Sequence, residues 1–267
     1  MSLQLPEPNL VILGAQKSGT TSLHEYMKRH PDIFMSSPVK EPGYYLGDER
    51  AKIFWNRMGQ PIESREELLG ERMLAGYQGE RYFGDASTYY TIDIRSRRFE
   101  VPARMHAAHP DMRLIYIMRD PVERIVSNYW HCRAKGRAGD SLVEFLDNPE
   151  GRMALETSRY HYQLEAYREY FPPEQFCLLL FEQLLMQPAT VMRTIWDFLD
   201  LEPLSETGEF RRYNESVGRD DKRVQLAPHE VAELRERLQP ELVKLQRDWG
   251  VDISDWQPPA VVPEADQ

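Results

Sequence analysis

The chain has 267 residues, 41% of them hydrophobic and 28% charged, which suits a soluble α/β protein large enough to bury a full core. Its formal net charge of −10 disfavours wide-area binding to DNA, RNA or a polyanionic glycan, because each needs a broad basic surface, but it leaves room for a local basic pocket. Cys132 and Cys177 form neither a disulfide framework nor a metal-ligand spacing. With no signal-peptide pattern in "MSLQLPEPN" and no apolar run near the ~20 residues of a membrane span, a cytoplasmic protein without a membrane span or a nucleic-acid partner is expected.

The first apolar run, "NLVILG" at 9–14, predicts a buried strand. A turn follows, then a helix over 20–29 with Leu23, Tyr26 and Met27 on one face. Such a corner can hold an anion: the first N–H groups of a helix lack partners within it, and its dipole favours negative charge there. Gly14 and Gly19 have the spacing of the Walker phosphate loop, G-x-x-x-x-G-K-[ST]. The Walker lysine position, however, is Thr20, and the only lysine of the loop, Lys17, lies inside it. Gly19 removes a Cβ that would block close approach of an anion. Thr20, Thr21 and Ser22 add hydroxyls, and Lys17 is within reach of a bridging oxygen. An ordinary strand–turn–helix corner with Lys17 in solvent also fits this stretch. A magnesium-nucleotide kinase fits less well, since it needs the lysine that Thr20 replaces and a Walker-B aspartate that is not evident.

Residues 31–46 are loop-rich, with Pro31, Pro38, Pro42 and Gly43, and carry the acidic-aromatic stretch "SPVKEPGYYLGD". A second strand is predicted at 81–85 and a third at 113–118. The third runs into "RDPVERIVSNY", where Asp120 is a good N-cap, Pro121 fits the first helical position and Glu123 completes a D-x-x-E capping box. Arg119 therefore stands at the carboxyl end of a strand, where open α/β sheets bind ligands, and its guanidinium fork suits a phosphate. Ser127 lies two turns into the helix at 122–134. A salt-bridged arginine and a surface serine are the plainer reading of this pair. Further helices are predicted at 158–170, 188–199 and 229–249, with a fourth strand at 175–181. The aromatic run in 158–170 has helical spacing and reads as packing, and residues 204–222 are polar and poorly periodic. The alternation predicts a doubly wound, mainly parallel sheet flanked by helices, as a single domain over 1–256 with a disordered tail at 257–267.

The stretch "GAQKSGTTSLHEYMKRHPDIF" closely resembles the 5′-phosphosulfate loop of sulfotransferases that use 3′-phosphoadenosine 5′-phosphosulfate (PAPS), whose loop lysine precedes the glycine. "RDPVERIVSNY" resembles their 3′-phosphate segment, with Arg119 and Ser127 matching in type and in eight-residue spacing. The likeness is nearest to carbohydrate-type and related bacterial members. It implies a P-loop-like site in which Gln16, Lys17, Ser18, Gly19, Thr20, Thr21 and Ser22 hold the phosphosulfate, and Lys17 stabilises the leaving phosphate. It implies that Arg119 and Ser127 hold the 3′-phosphate, and that magnesium is no part of the donor site. In "NESVGRDD", Gly218 and Arg219 resemble a loop that closes over the 3′-phosphate, with Ser216 nearby. Glu41 takes the place of the family's glutamate base, and near Lys17 it would be held ionised.

Two departures stand out. Gly43 stands where many members have histidine, and Ala86 where many heparan-type members have a catalytic lysine, which argues against a sulfated-glycan acceptor. Asp85, Ser87 and Tyr89 are candidates for acceptor contact, and Lys40 for substrate contact. His131 and His161 remain alternative bases. The implied reaction is in-line transfer of a sulfuryl group from PAPS to an acceptor hydroxyl, releasing adenosine 3′,5′-bisphosphate (PAP). The acceptor is left as a small molecule, a lipid, a simple sugar or a carrier-tethered chain. The rival readings are a P-loop nucleotide kinase and an inactive nucleotide-binding protein of the same fold.

Overall fold

The computed structural model describes residues 5–92, 100–204, 210–211 and 228–256. Five strands are present among them: β1 Leu10–Gly14, β2 Ile33–Met35, β3 Tyr82–Asp85, β4 Arg113–Met118 and β5 Phe176–Leu180. They form one sheet in the order β2-β3-β1-β4-β5, and every pairing is parallel. Helices of eight residues or more are α1 Thr20–Met27, α2 Asp48–Arg57, α3 Glu100–Ala108, α4 Pro121–Ala134, α5 Pro149–Thr157, α6 Tyr160–Arg168, α7 Pro188–Phe198 and α8 Pro228–Trp249. None is long and apolar enough to cross a membrane.

The strands read as unbroken apolar runs because both faces of the sheet are covered. Val11, Leu13, Leu114, Tyr116 and Met118 face one core, to which α8 adds Leu242 and Leu245. Their alternates Leu10, Ile12, Ile115 and Ile117 face the other, filled by Leu23, Tyr26 and Met27 of α1 and by Val191, Met192, Ile195 and Trp196 of α7. A third cluster joins α4, α5 and the N-terminal half of α8.

Strand β2 lies where the sequence reads as loop. It has only three residues between Pro31 and Pro38, too few to show a period, and long-range pairing makes it a strand: Ile33, Phe34 and Met35 lie beside Tyr82, Phe83 and Gly84 of β3. Helix α2 was likewise hidden, since its buried residues amount to Ala51 and Trp55. The capping box at the start of α4 is half formed. Asp120 accepts from the N–H groups of Val122 at 2.9 Å and Glu123 at 3.1 Å. Glu123 instead pairs with Arg119 at 3.1 Å, and Glu182, after β5, accepts the N–H of Asp120 at 3.0 Å.

Candidate active site

Strands β1 and β4 are hydrogen-bonded neighbours, so the loops that leave their carboxyl ends lie side by side. The Ala15 N–H donates to the Ile117 carbonyl at 2.7 Å. The first loop closes as a tight turn, with the Ser18 N–H donating to the Ala15 carbonyl at 3.1 Å. Lys17 sits in the left-handed region at φ 71°, an uncommon conformation for a residue with a Cβ. Gly19, at φ 87°, precedes the first turn of α1. A Cβ at Gly19 would fall 2.7 Å from the ring of Phe181, so this glycine makes room for an aromatic side chain.

These loops open onto a cavity of about 730 Å³, within the roughly 300–1,000 Å³ usual for small-molecule sites. Gln16, Lys17, Gly19, Thr20, Thr21 and Ser22 line it, as do Arg119, Ser127 and Glu41. Ser18 departs from the expected set. It is fully buried, its hydroxyl has no hydrogen-bond partner, and it is not part of the lining. Gly218 and Arg219, with Ser216, lie outside the described residues. On α4, Glu123, Val126, Ser127, Trp130 and His131 face the cavity at three-to-four-residue spacing, as one face of a helix should.

Positive charge gathers at the end bounded by β1 and β4. Arg119 stacks its guanidinium 5.2 Å over Phe181, and its carbonyl accepts from the Tyr160 hydroxyl at 2.7 Å. Burial, and then the neighbouring Arg119, Lys135 and Arg124, hold the Lys17 ammonium below its ordinary range. His131 is pushed down to about 4 by burial, then by Lys17, Lys135 and Arg137, which leaves it neutral at pH 7. These cations repel one another, so a multiply charged anion between them relieves the strain on all of them.

Arg124 was not singled out from the sequence. It is wholly buried, and its guanidinium donates to Ser158 Oγ at 2.8 Å, to the Gln16 carbonyl at 3.3 Å and to the Ala154 carbonyl. It thereby ties the phosphate-type loop to α4 and α5. Its signal was the helix period, which sets it among the buried Pro121, Ile125 and Asn128.

A second set of residues is built around Glu41. Its Oε1 accepts from Lys40 Nζ at 2.9 Å and its Oε2 from Thr88 Oγ1 at 3.1 Å. The ammonium that holds Glu41 is therefore that of Lys40, where Lys17 was expected, and Lys40 also donates to Thr20 Oγ1 at 3.2 Å. Asp85 and Ser87 do not reach the cavity. Asp85 is 0% exposed and supports the Glu41 loop from below. It accepts from the Ser87 N–H at 2.8 Å, from Ser87 Oγ at 2.5 Å and from the Tyr90 hydroxyl. Those two hydroxyls in turn accept from the loop's backbone, Ser87 Oγ from the Gly43 N–H at 2.8 Å and Tyr90 from the Tyr45 N–H at 3.1 Å. Burial raises Asp85 to about 6 against these hydrogen bonds, which pull it down. Of the expected acceptor contacts, Tyr89 and Lys40 line the cavity, joined by the unforeseen Thr88, Phe54, Trp55 and Met58. Of the two candidate histidines, His131 lines it; His161 is outside the lining and bonds Asp248 at 2.9 Å.

Residues 8–206 match the model described as the Sulfotransferase family. Among curated proteins, the chain is 26% identical over 229 residues to a Drosophila melanogaster bifunctional heparan sulfate N-deacetylase/N-sulfotransferase, covering 79% of this chain and 21% of that protein. It is 26% identical over 224 residues to the Mus musculus heparan sulfate glucosamine 3-O-sulfotransferase 3B1, covering 81% and 51%. The chain thus spans about half or less of the length of these relatives. Among solved structures, a sulfotransferase from Alicyclobacillus acidocaldarius superposes with a TM-score of 0.74 at 24% identity, covering 95% of this chain and all of that one. A sulfotransferase domain from the curacin biosynthetic pathway gives 0.56 at 17% identity, covering 88% and 99%. At these identities the structural likeness shows the fold alone.

Proposed function

The chain belongs to the sulfotransferase family, and on that premise we propose that it transfers a sulfuryl group from PAPS to the hydroxyl of an acceptor. The observation that carries this reading is the meeting of Lys17 and Arg119, from adjacent strand ends, on one cavity that also holds Glu41. PAPS supplies the sulfuryl group and leaves as PAP. The N–H groups and hydroxyls at the start of α1, with Gln16, hold the 5′-phosphosulfate. Arg119 and Ser127 hold the 3′-phosphate. Lys17 meets the charge that develops on the leaving phosphate oxygen as its bond to sulfur breaks, so that this stabilisation comes from a side chain rather than from a metal ion. Glu41 takes the proton of the acceptor hydroxyl as its oxygen bonds to sulfur. Lys40, bonded to both Glu41 and Thr20, sets the distance between base and donor.

The acceptor in this reading is a small molecule, a lipid, a simple sugar or a carrier-tethered chain bearing a hydroxyl. Two buried free cysteines, Cys132 and Cys177, fit a cytoplasmic setting. Thermal unfolding with PAP, compared with Mg-ATP and AMP, tests the donor assignment. At 100 times its Kd, PAP should stabilise the native protein by ~2.7 kcal/mol, and Arg119→Ala should abolish the shift. A shift with Mg-ATP and none with PAP would overturn the reading.

A further inference from the structure

Besides its charged groups, the cavity is walled by Val39, Phe54, Trp55, Met58 and Tyr89. The wall is braced. The Phe54 ring packs edge-on against Tyr89 at 4.9 Å, and the Trp55 indole N–H donates to the Pro42 carbonyl at 3.0 Å. Met58 is 61% exposed while also lining the cavity, so the apolar surface runs out to the mouth. The charged groups that line this side are Lys40 and Glu41, bonded to each other at 2.9 Å, with Lys40 bonded to Thr20 as well; Arg72, outside the lining, stacks 4.9 Å over the Trp55 ring and donates to Gln60 at 2.9 Å. The other lining cations, Lys17, Arg119 and Lys135, stand on the donor loop, at the end of β4 and just past α4. A neutral polar group, Thr88, is bonded to Glu41 itself.

This arrangement has a consequence for the acceptor. A chain of sulfates or carboxylates laid along the wall would shed hydration against aromatic rings with no row of cations to replace it. The protein's net charge of −10 would also slow its approach. An apolar body gains from the same surface, and it needs one polar group only, at Glu41. Resting on the donor reading above, we infer that the acceptor is an uncharged alcohol or phenol with an apolar body, seated between Phe54, Met58 and Tyr89 with its hydroxyl at Glu41.

The test titrates 2-naphthol, and separately an N-sulfated glucosamine octasaccharide, into the protein saturated with PAP. Binding is followed by isothermal titration calorimetry at low and high salt, and turnover by PAP release from PAPS. Naphthol should bind with little salt dependence. Phe54→Ala should weaken it about tenfold, the order of losing one aromatic contact surface. Met58→Glu, at an exposed position that cannot unfold the core, should weaken it about tenfold or more while the PAP-induced thermal shift stays as in the wild type. If PAP stabilises the protein but naphthol does not bind, or neither variant weakens it, the acceptor class is wrong and the donor reading stands. If both acceptors bind, a higher kcat/KM for the octasaccharide overturns the inference. If PAP itself gives no stabilisation, the donor reading fails first and the acceptor inference with it.

Discussion

The donor end of the cavity hangs on two adjacent strand ends and draws most of its groups from two unbroken stretches, 14–22 and 119–127. The end around Glu41 is assembled from separate segments, held by hydrogen bonds between residues 41 and 88, 43 and 87, 45 and 90, and 42 and 55. In the first, backbone pairing in the sheet fixes the geometry, and each side chain follows from its place in a strand, turn or helix. In the second, a buried carboxylate, Asp85, and the hydroxyls around it do that work across more than forty residues. Substitutions at the donor end should therefore remove ligand contacts one at a time. At the Glu41 end, substitutions beneath the surface should displace a whole loop.

The sharpest way to break this division is at the base. Glu41→Gln should lower kcat by roughly 10²–10⁴-fold, the range of a general base, while the PAP-induced thermal shift persists. His131→Asn should cost less than about tenfold. The reverse ranking in steady-state assays would move the base onto α4 and merge the two ends. Next in size, Lys17→Ala should lower kcat by about 10²–10³-fold with a smaller loss of PAP affinity, because its contact strengthens as charge develops on the leaving phosphate. Equal losses in both, measured by single-turnover rates and PAP titration, would make Lys17 a binding group only.

Asp85→Asn probes the buried support. It should lower kcat by about tenfold without changing PAP affinity, since one of the hydroxyls it now receives would lose its acceptor and the Glu41 loop would shift. The variant also has a pH signature. Burial raises Asp85 from 3.8 to about 6, so the folded protein holds that proton more tightly than the unfolded chain does. The resulting stability is full below about pH 4 and lost as pH rises through 6. Wild type should therefore gain on the variant as pH falls from 6 towards 4, by at most about 3 kcal/mol. A difference in melting temperature that stays flat over this range would remove Asp85 from the argument. The smallest effect belongs to Gly19→Ala, which combines a left-handed φ with a Cβ 2.7 Å from Phe181. It should cost about 1–2 kcal/mol of stability, read in a thermal melt, and also weaken PAP binding, because the added Cβ hinders close approach of the anion.

What was legible follows the same line. The strand–turn–helix at 10–27 and the strand–cap–helix at 113–134 were readable because their signals lie within a few residues: an apolar run, a glycine at a positive φ, an N-cap followed by proline. Glu41 was singled out, but its partner was misread. Lys17 is near in the motif's logic, whereas Lys40 is the ammonium that reaches it. Asp85 and Ser87 were read as acceptor contacts because a carboxylate and a hydroxyl at a strand end look the same in sequence whether they face a ligand or a neighbouring loop. Arg124 and Phe181 were passed over as ordinary helix and strand-end residues, though one buttresses Gln16 and the other fills the space beside Gly19.

The sequence by itself determined the alternating α/β order, the two strand-end corners and the charge on them, since each depends on local periodicity, on capping and on the handedness that glycine permits. The tertiary structure alone decided that the short segment Ile33–Met35 becomes an edge strand, that Lys40 clamps Glu41 to α1, and that Phe54 and Met58 of a weakly patterned stretch wall the cavity. Those outcomes rest on contacts between residues far apart in the chain, whose free energy comes from burial and from paired polar groups in the folded state, and no short stretch of sequence carries that information.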